Sequence, residues 1–231
     1  MAVQYMNSDT ASVEQGVKCL IYGESGNGKT FLARSLPKET TLVVSVESGV
    51  LSLQGAGMHV LKCETFEDVV SVLNAMDTTY AFAQNVLVDS GSEIAEKVLA
   101  YHKPKTKEPR QAYNSMAEHT IMLIKMFRDL PRRNVFITAK AETDKDGVTG
   151  LMVTTPSMPG RVLTKELPYL FDEVFYLGVS EVDDGTGKKI RQRYLQTDRD
   201  LTKTAKDRSG KLDFFEPADL SHILNKITTG A

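Results

Sequence analysis

The 231-residue chain contains no tryptophan, only two cysteines and no apolar run that approaches the ~20 residues needed to cross a bilayer. Cys19 and Cys63 are too few for a disulfide framework and lack metal-ligand spacing, so we interpret both as reduced packing residues. The first residues lack the basic and then apolar pattern of a secretory signal. These absences exclude disulfide-stapled and membrane-spanning classes and favour a protein of the cytoplasm.

A strong excess of either charge is also missing, since the formal net charge is −2. A protein that binds nucleic acid over its whole surface is therefore excluded, and any such contact would come from local basic segments. The apolar fraction of 41% and the charged fraction of 25% are typical of a soluble globular chain. The length favours one domain over residues 17–231, after an N-terminal segment 1–16 that is flexible or contacts another subunit.

Short apolar segments alternate with longer amphipathic ones, which is the pattern of βα units around a largely parallel sheet. Strands are predicted at residues 17–22, 41–46, 85–88 and 135–138. Helices are predicted at residues 30–35 and 66–76 and in a long stretch that Pro131 closes. The predicted class is α/β, with a mostly parallel sheet flanked by helices.

The last third of the chain has a different pattern. The alternating segments 172–180 and 188–197 flank a turn-rich stretch, and they predict an antiparallel β-hairpin. A short helix is expected from Glu216 to Ile227, with Pro217 tolerated in its first turn. The core is therefore expected to carry a C-terminal hairpin extension and a final helix.

Eight residues between the first predicted strand and helix carry the most specific pattern: Gly23-Glu24-Ser25-Gly26-Asn27-Gly28-Lys29-Thr30. The glycines permit backbone conformations in which consecutive N–H groups point inward at phosphate oxygens. The charge of Lys29 suits the β- and γ-phosphates, and the Thr30 hydroxyl can ligate Mg²⁺. A chance match is the alternative, and the flanking strand and helix argue against it. This phosphate loop predicts a site for ATP and Mg²⁺.

A carboxylate ends the third predicted strand, because Asp89 follows the apolar residues 85–88 and precedes Ser90. An Asp at the carboxyl end of a parallel strand faces the crevice where ligands of open α/β sheets bind. There it could hold Mg²⁺ through the water shell of the ion. A strand that simply ends in Asp at a turn is the alternative, and the phosphate loop favours the metal role.

Glu47 is the candidate for orienting and polarising the attacking water, because it follows the predicted strand 41–46. If that strand lies beside the phosphate-loop strand, Glu47 points at the γ-phosphate. An exposed turn carboxylate is the alternative. Glu93 and Glu142 are less well placed candidates for the same role.

Together these residues resemble the RecA-like ATPase class, which includes RecA, the DnaB-type helicases and KaiC. More closely, residues 16–227 are similar to the compact phage-encoded RecA-like proteins of single-strand annealing recombination. The likeness rests on four segments: the phosphate loop, Val46-Glu47-Ser48-Gly49, Asp89-Ser90 and Ala205-Lys206-Asp207-Arg208-Ser209-Gly210. The serine at position 90 separates the chain from ATPases whose glutamate directly follows the strand Asp.

The resemblance implies a nucleotide site that is completed between subunits. In ring-forming members a Lys-x-Arg pair on a late strand reaches the nucleotide of the neighbouring subunit. By this resemblance Lys206 and Arg208 act in trans, with Arg208 as an arginine finger at the γ-phosphate. A solvated basic turn that ends at Gly210 is the alternative. The class also places a polar sensor at the end of the fourth strand, where this chain offers Thr138 and Lys140.

The resemblance also implies single-stranded DNA as a partner, contacted by loops after the fourth strand. Residues 141–161 are predicted to form such a loop, with Lys145 and Arg161 as its cations. A second candidate is the basic run 101–110, which combines four cations with Tyr101 for base stacking. Simple solvation of both segments is the alternative.

The leading hypothesis is an oligomeric, Mg²⁺-dependent ATPase, in a ring or a filament, that acts on single-stranded DNA in phage recombination or replication. Its hydrolysis is expected to be stimulated by DNA, and a single-strand binding protein is a candidate partner. The main alternative is an ATP-switched loader that recruits another protein with little hydrolysis of its own. A nucleoside or small-molecule kinase is disfavoured, because an Arg-rich lid is not evident.

Overall fold

The computed structural model describes residues 7, 14–47, 49–183 and 185–229. Most of the predicted N-terminal segment 1–16 lies outside these residues, as do Ser48 of the Glu47 motif and Asp184 of the predicted hairpin turn. The described strands are β1 (Lys18–Gly23), β2 (Thr41–Ser45), β3 (His59–Lys62), β4 (Asn85–Asp89), β5 (Asn134–Lys145), β6 (Met152–Ser157), β7 (Glu173–Asp183), β8 (Lys189–Gln196), β9 (Lys206–Asp207) and β10 (Phe215–Pro217).

All ten strands belong to one sheet, in the order β10-β8-β7-β1-β5-β4-β2-β3, while β6 pairs with β5 and β9 with β7. The run from β7 to β3 is parallel throughout. The strands β8, β10, β6 and β9 are antiparallel to their neighbours. The predicted α/β class, with a mostly parallel sheet and a C-terminal antiparallel hairpin, is confirmed.

Helices cover both faces of the sheet, and the described α-helices are α1 (Phe66–Ala75), α2 (Gly91–His102), α3 (Pro109–Arg128), α4 (Arg161–Glu166) and α5 (Leu220–Thr229). The first four pack on one face of the sheet and α5 packs on the other, together with the 3₁₀ segment Thr30–Ser35. Strands β1, β2 and β4 are buried along their whole length. Burial on both faces explains why these strands appear in the sequence as continuous apolar runs rather than alternating ones. No helix in the described residues is long and apolar enough to cross a membrane.

Two predicted elements differ in detail, and one observed strand has no predicted counterpart. The long helical stretch is two helices, because Pro109 starts α3 after a break at residues 103–108. The segment Thr30–Ser35 is a 3₁₀ helix. The edge strand β3 was not predicted, since its residues are mostly exposed and show no apolar pattern.

The predicted start of the last helix is wrong. Residues Phe215–Pro217 form the edge strand β10, where a proline without an N–H is tolerated. The helix α5 begins at Leu220, and the Asp219 carboxylate accepts a hydrogen bond from the His222 N–H at 2.9 Å. An acceptor at this position satisfies an otherwise unpaired N–H of the first helical turn.

The predicted loop at residues 141–161 is also wrong as a structure, because most of it is a β-hairpin. Strand β5 continues to Lys145 and pairs with β6 in register from Lys140–Ser157 to Lys145–Met152. The Asp146 carboxylate accepts hydrogen bonds from the Thr149 N–H and hydroxyl, and Gly150 has a φ of +71°. These features build a tight turn that links the two strands.

The short strand β9 is held by a pair of carboxyl groups. Glu173 of β7 lies opposite Asp207 of β9 and is 3% exposed. Burial, then the neighbouring charge of Asp207, raises the pKa of Glu173 to about 8. Burial alone would raise the pKa of Asp207, but hydrogen bonds from Ser209 and Leu212 lower it. Glu173 therefore carries the shared proton at neutral pH.

We expect the free energy of unfolding to depend on this proton. Because the folded pKa of Glu173 lies above the ordinary value of 4.5, its protonation contributes stability that is complete below pH 4.5 and is lost as the pH rises through about 8. Glu173→Gln keeps a side-chain donor toward Asp207 but cannot titrate. The free energy of unfolding, measured with denaturant between pH 5 and 9, should therefore depend less on pH in this variant. Glu181→Gln, an exposed change on the same strand, is the control. An identical pH profile in the Glu173 variant and the native protein would contradict the shared proton.

Candidate functional site

The phosphate loop leaves the carboxyl end of β1 in a conformation that needs its glycines. A Cβ atom at Gly23 would lie 2.7 Å from the carbonyl oxygen of Leu177 in β7, which leaves no room for a side chain. Gly26 and Gly28 have φ values of +81° and +97°. Other residues rarely adopt these values, so the sequence folds locally into an open cradle of backbone N–H groups.

The C-terminal hairpin fastens the loop in place. The Asn27 side-chain amide donates to the Leu177 carbonyl of β7 at 2.9 Å. The Arg193 Nε of β8 donates to the Asn27 carbonyl at 2.8 Å. Both hairpin strands therefore hold the middle of the phosphate loop. The contact of Arg193 with the loop could not be predicted from the sequence, because an alternating strand pattern does not show which element the strand packs against.

Lys29 lies at the end of the loop with its ammonium group turned inward. Its Nζ donates to the carbonyl oxygens of Gly23 at 2.7 Å and Glu24 at 3.0 Å. Burial lowers the pKa of Lys29, while the nearby charges of Asp89 and Glu47 oppose that shift. The result is a half-buried cation whose hydrogen bonds go to carbonyls, which anionic phosphate oxygens can replace.

Asp89 connects the loop to the strands beside it. Its Oδ2 accepts from the Thr30 hydroxyl at 2.5 Å and its Oδ1 from the Thr138 hydroxyl at 2.6 Å. Asp89 and Thr138 are buried, and the peptide bond after Asp89 is cis. The predicted metal residues Thr30 and Asp89 therefore lie in contact, and Thr138 fixes the orientation of the carboxylate.

Glu47 reaches the same edge by a different route from the predicted one. The prediction for Glu47 assumes that β2 lies beside β1. This assumption is wrong, because β5 and β4 lie between the two strands. The N–H groups of Val46 and Glu47 instead donate to the Asp89 carbonyl at 2.7 and 3.0 Å. Burial, with the charges of Asp89 and Glu93, raises the pKa of Glu47, while Lys29 opposes the shift. The Glu47 carboxylate therefore interacts electrostatically with both Lys29 and the buried Asp89.

The other candidates near this edge have partners of their own. Lys140 lies opposite Gly23 in the sheet, and its Nζ contacts Glu93 at 2.6 Å and Glu96 at 2.9 Å. The hydrogen bond to Glu93 raises the pKa of Lys140. Glu142 accepts from the Ser157 hydroxyl at 2.9 Å, within the β5–β6 hairpin. Glu93 is thus committed to Lys140, and Glu142 is committed to the hairpin.

Lys206 and Arg208 are not brought to the phosphate loop of their own chain. Lys206 pairs with Val174 near the amino end of β7, whereas the loop follows the carboxyl end of β1. The Lys206 Nζ donates to the carbonyls of Pro168 and Phe171 at 3.0 and 2.5 Å. Arg208 pairs with Asp172 at 2.9 Å and remains 60% exposed. A role for this pair at a nucleotide therefore requires a second subunit.

The loop and its neighbours fit a nucleoside triphosphate with Mg²⁺. The cradle offers N–H donors and one cation, while the Thr30 hydroxyl and Asp89 carboxylate place two hard oxygen ligands side by side. Within the described ranges, no cluster of three or more His, Cys, Asp or Glu side chains could hold a metal by itself. That donor set suits Mg²⁺, which uses one or two protein oxygens, water and substrate phosphates.

A comparison with protein families agrees with this geometry. A family model described as an AAA domain matches residues 15–209, which include the phosphate loop, Glu47, Asp89 and the Lys206–Arg208 segment. A comparison with curated proteins found no match. The matched region covers well over half of the chain, so the protein belongs to the AAA domain family, whose P-loop core binds and hydrolyses nucleotides.

Proposed function

We propose that the protein is an oligomeric, Mg²⁺-dependent ATPase of the RecA-like kind that acts on single-stranded DNA in phage recombination or replication. The observation that carries the proposal is the convergence of Lys29, Asp89 and Glu47 at the carboxyl edge of four neighbouring strands. Each of these side chains comes from a different strand end, so the arrangement depends on the sheet order.

Each residue of the site has a separate role in ATP hydrolysis. Lys29 neutralises charge on the β- and γ-phosphates, and the loop N–H groups orient the phosphate chain. Glu47 orients a water molecule and accepts its proton, a task that its raised pKa favours at neutral pH. Thr30 and Asp89 would hold Mg²⁺, which when bound neutralises phosphate charge. Thr138 keeps the Asp89 carboxylate in position through its 2.6 Å hydrogen bond.

The second part of the site comes from a neighbouring subunit under this proposal. Arg208 is largely exposed, and it forms a surface ion pair with Asp172. Surface ion pairs of this kind contribute little stability. Exchange of Asp172 for a phosphate is therefore energetically feasible. Lys206, held by two carbonyl groups, anchors the strand that presents Arg208.

Single-stranded DNA is assigned to a cleft beside the β5–β6 hairpin. This cleft, of about 1330 Å³, is lined by Lys145 and Arg161, by Lys165 and Arg199, and by Tyr169, whose side chain is 79% exposed. Five carboxylates line the cleft as well, so its surface does not have a uniformly positive potential. The proposal of single-stranded DNA in this cleft is therefore supported by an exposed stacking surface with scattered cations. The basic run 101–110 is the weaker candidate, because Lys105 already covers the Tyr101 ring at 3.1 Å.

The test is the rate of ATP hydrolysis with and without single-stranded DNA across a series of salt concentrations. We expect stimulation that fades with salt, with a slope of log affinity against log salt no steeper than about −3. Four of the five cations that line the cleft contribute to this slope, since the fifth, Lys206, is held by two carbonyl groups. Tyr169→Ala should reduce the stimulation about tenfold, and Tyr113→Ala, an exposed tyrosine on α3, should not. ATP hydrolysis without any DNA binding would support the loader instead.

A further inference from the structure

The phosphate loop has two flanks of different chemistry. On the side of β5, β4 and β2 lie Lys140, Asp89 and Glu47. On the other side, Asn27 and Gly28 face the strands β7 and β8. A triphosphate whose terminal phosphate points toward the carboxylates therefore directs its opposite end toward the β7–β8 flank.

That flank carries a stacking surface that the phosphate chemistry does not use. Phe31, the first residue after the loop, is 40% exposed. The guanidinium carbon of Arg193 lies 5.0 Å from the centroid of the Phe31 ring, and that of Arg34 lies 5.2 Å from it. Both guanidinium groups therefore lie over the ring in cation–π contact, and the outer side of the exposed Arg193 group presents a flat, cationic surface.

Both guanidinium groups are fixed by backbone carbonyls. Arg193 donates to the Asn27 carbonyl at 2.8 Å. Arg34 donates to the carbonyls of Ser52 and Gln54 at 3.2 and 3.4 Å. A Cβ atom at Gly28 would lie 2.6 Å from the Arg193 Nε, so the close approach of Arg193 depends on the last glycine of the loop. The surface is therefore preorganised rather than mobile.

We propose that the Arg193 guanidinium, with the Phe31 ring behind it, forms the platform on which the base of the bound nucleoside triphosphate stacks. The inference rests on the proposed nucleotide site and adds the part of the ligand that this flank recognises. A guanidinium plane and an aromatic ring both stack on the π-face of a base, whereas an inorganic phosphate chain has nothing to place there. Recognition through the ring face should favour purines over pyrimidines and discriminate weakly between adenine and guanine.

The test compares two ligands by isothermal titration calorimetry in the presence of Mg²⁺: a non-hydrolysable ATP analogue and inorganic tripolyphosphate. The native protein should bind the analogue at least about tenfold more tightly, because only the analogue carries a base. Arg193→Ala should remove about tenfold of the analogue affinity and much less of the tripolyphosphate affinity. Arg191→Ala is the matched control, since Arg191 is exposed two residues earlier on the same face of β8 and should change neither affinity.

Two further variants separate stacking from charge and from loop support. Arg193→Lys retains the charge without the planar group, so it should weaken only the analogue. Phe31→Leu retains apolar volume without the ring and should act in the same direction. Equal affinity of the native protein for both ligands, or an equal loss for both ligands in Phe31→Leu, would overturn the base platform. Failure of the native protein to bind either ligand would instead refute the nucleotide site itself.

Discussion

Lys29→Ala is expected to lower ATP turnover by about a hundredfold or more, to the limit of detection. The ammonium group belongs to the loop itself and lies inside the cradle, with its Nζ 2.7 Å from the Gly23 carbonyl. Without it, the negative charges of Asp89 and Glu47, which act on Lys29, would be less well compensated where the phosphates bind. The measurement is phosphate release at saturating ATP and Mg²⁺.

Lys38→Ala is the matched control for this change. Lys38 is an exposed lysine on the short 3₁₀ turn before β2, and its Nζ lies 4.0 Å from the Glu39 carboxylate. Both variants should give the same circular dichroism spectrum and thermal midpoint as the native protein. Unchanged turnover in a folded Lys29→Ala variant would disprove the assignment of the phosphate loop.

The second large effect is expected from mixing two inactive variants. Glu47→Ala removes the residue that orients water, and Arg208→Ala removes the residue proposed to act from the neighbouring subunit. Each alone should lose about a hundredfold or more in turnover. In an equal mixture, random assembly gives about a quarter of the sites an intact Glu47 from one subunit and an intact Arg208 from the next. Turnover should recover to that fraction of the native rate.

The controls make recovery specific to the shared site. The first control mixes Glu47→Ala with a double variant that carries both Glu47→Ala and Arg208→Ala. No site in this mixture has an intact Glu47, so it should stay inactive. Glu64→Gln, at the exposed position that follows the neighbouring strand β3, should keep the native rate. No recovery at any mixing ratio, although the variants co-assemble, would count against action in trans and leave Arg208 as the surface partner of Asp172.

The sequence was sufficient for the parts of the site that lie on one continuous segment. The glycines, Lys29 and Thr30 lie within eight consecutive residues, and as a set they match the pattern of a phosphate-binding loop. Asp89 was predictable too, because an apolar strand ends at it. The hydrogen bond from Thr138 to Asp89 required knowledge that β5 lies between β1 and β4.

The errors have the same physical origin, since strand order and edge pairing are tertiary properties. Glu47 was assigned through a neighbouring strand that is in fact three positions away. Pro217 was placed in a helix because its ring suits a first turn, whereas an edge strand accepts it equally well. The paired segments of the β5–β6 hairpin are rich in threonine and polar residues, so their pairing has no apolar signal.

The last helix has a consequence for how much of the chain must be present for the phosphate loop to fold. Leu220 and Ile223 of α5 share a core with Leu32 and Ala33, which directly follow the loop. The Leu220 N–H also donates to the Ser35 hydroxyl at 2.8 Å. The family match stops at residue 209, before this helix begins. A truncation at that boundary would retain every residue of the nucleotide motif and still remove the support beneath it, so the cooperative folding unit is larger than the region that the family model recognises.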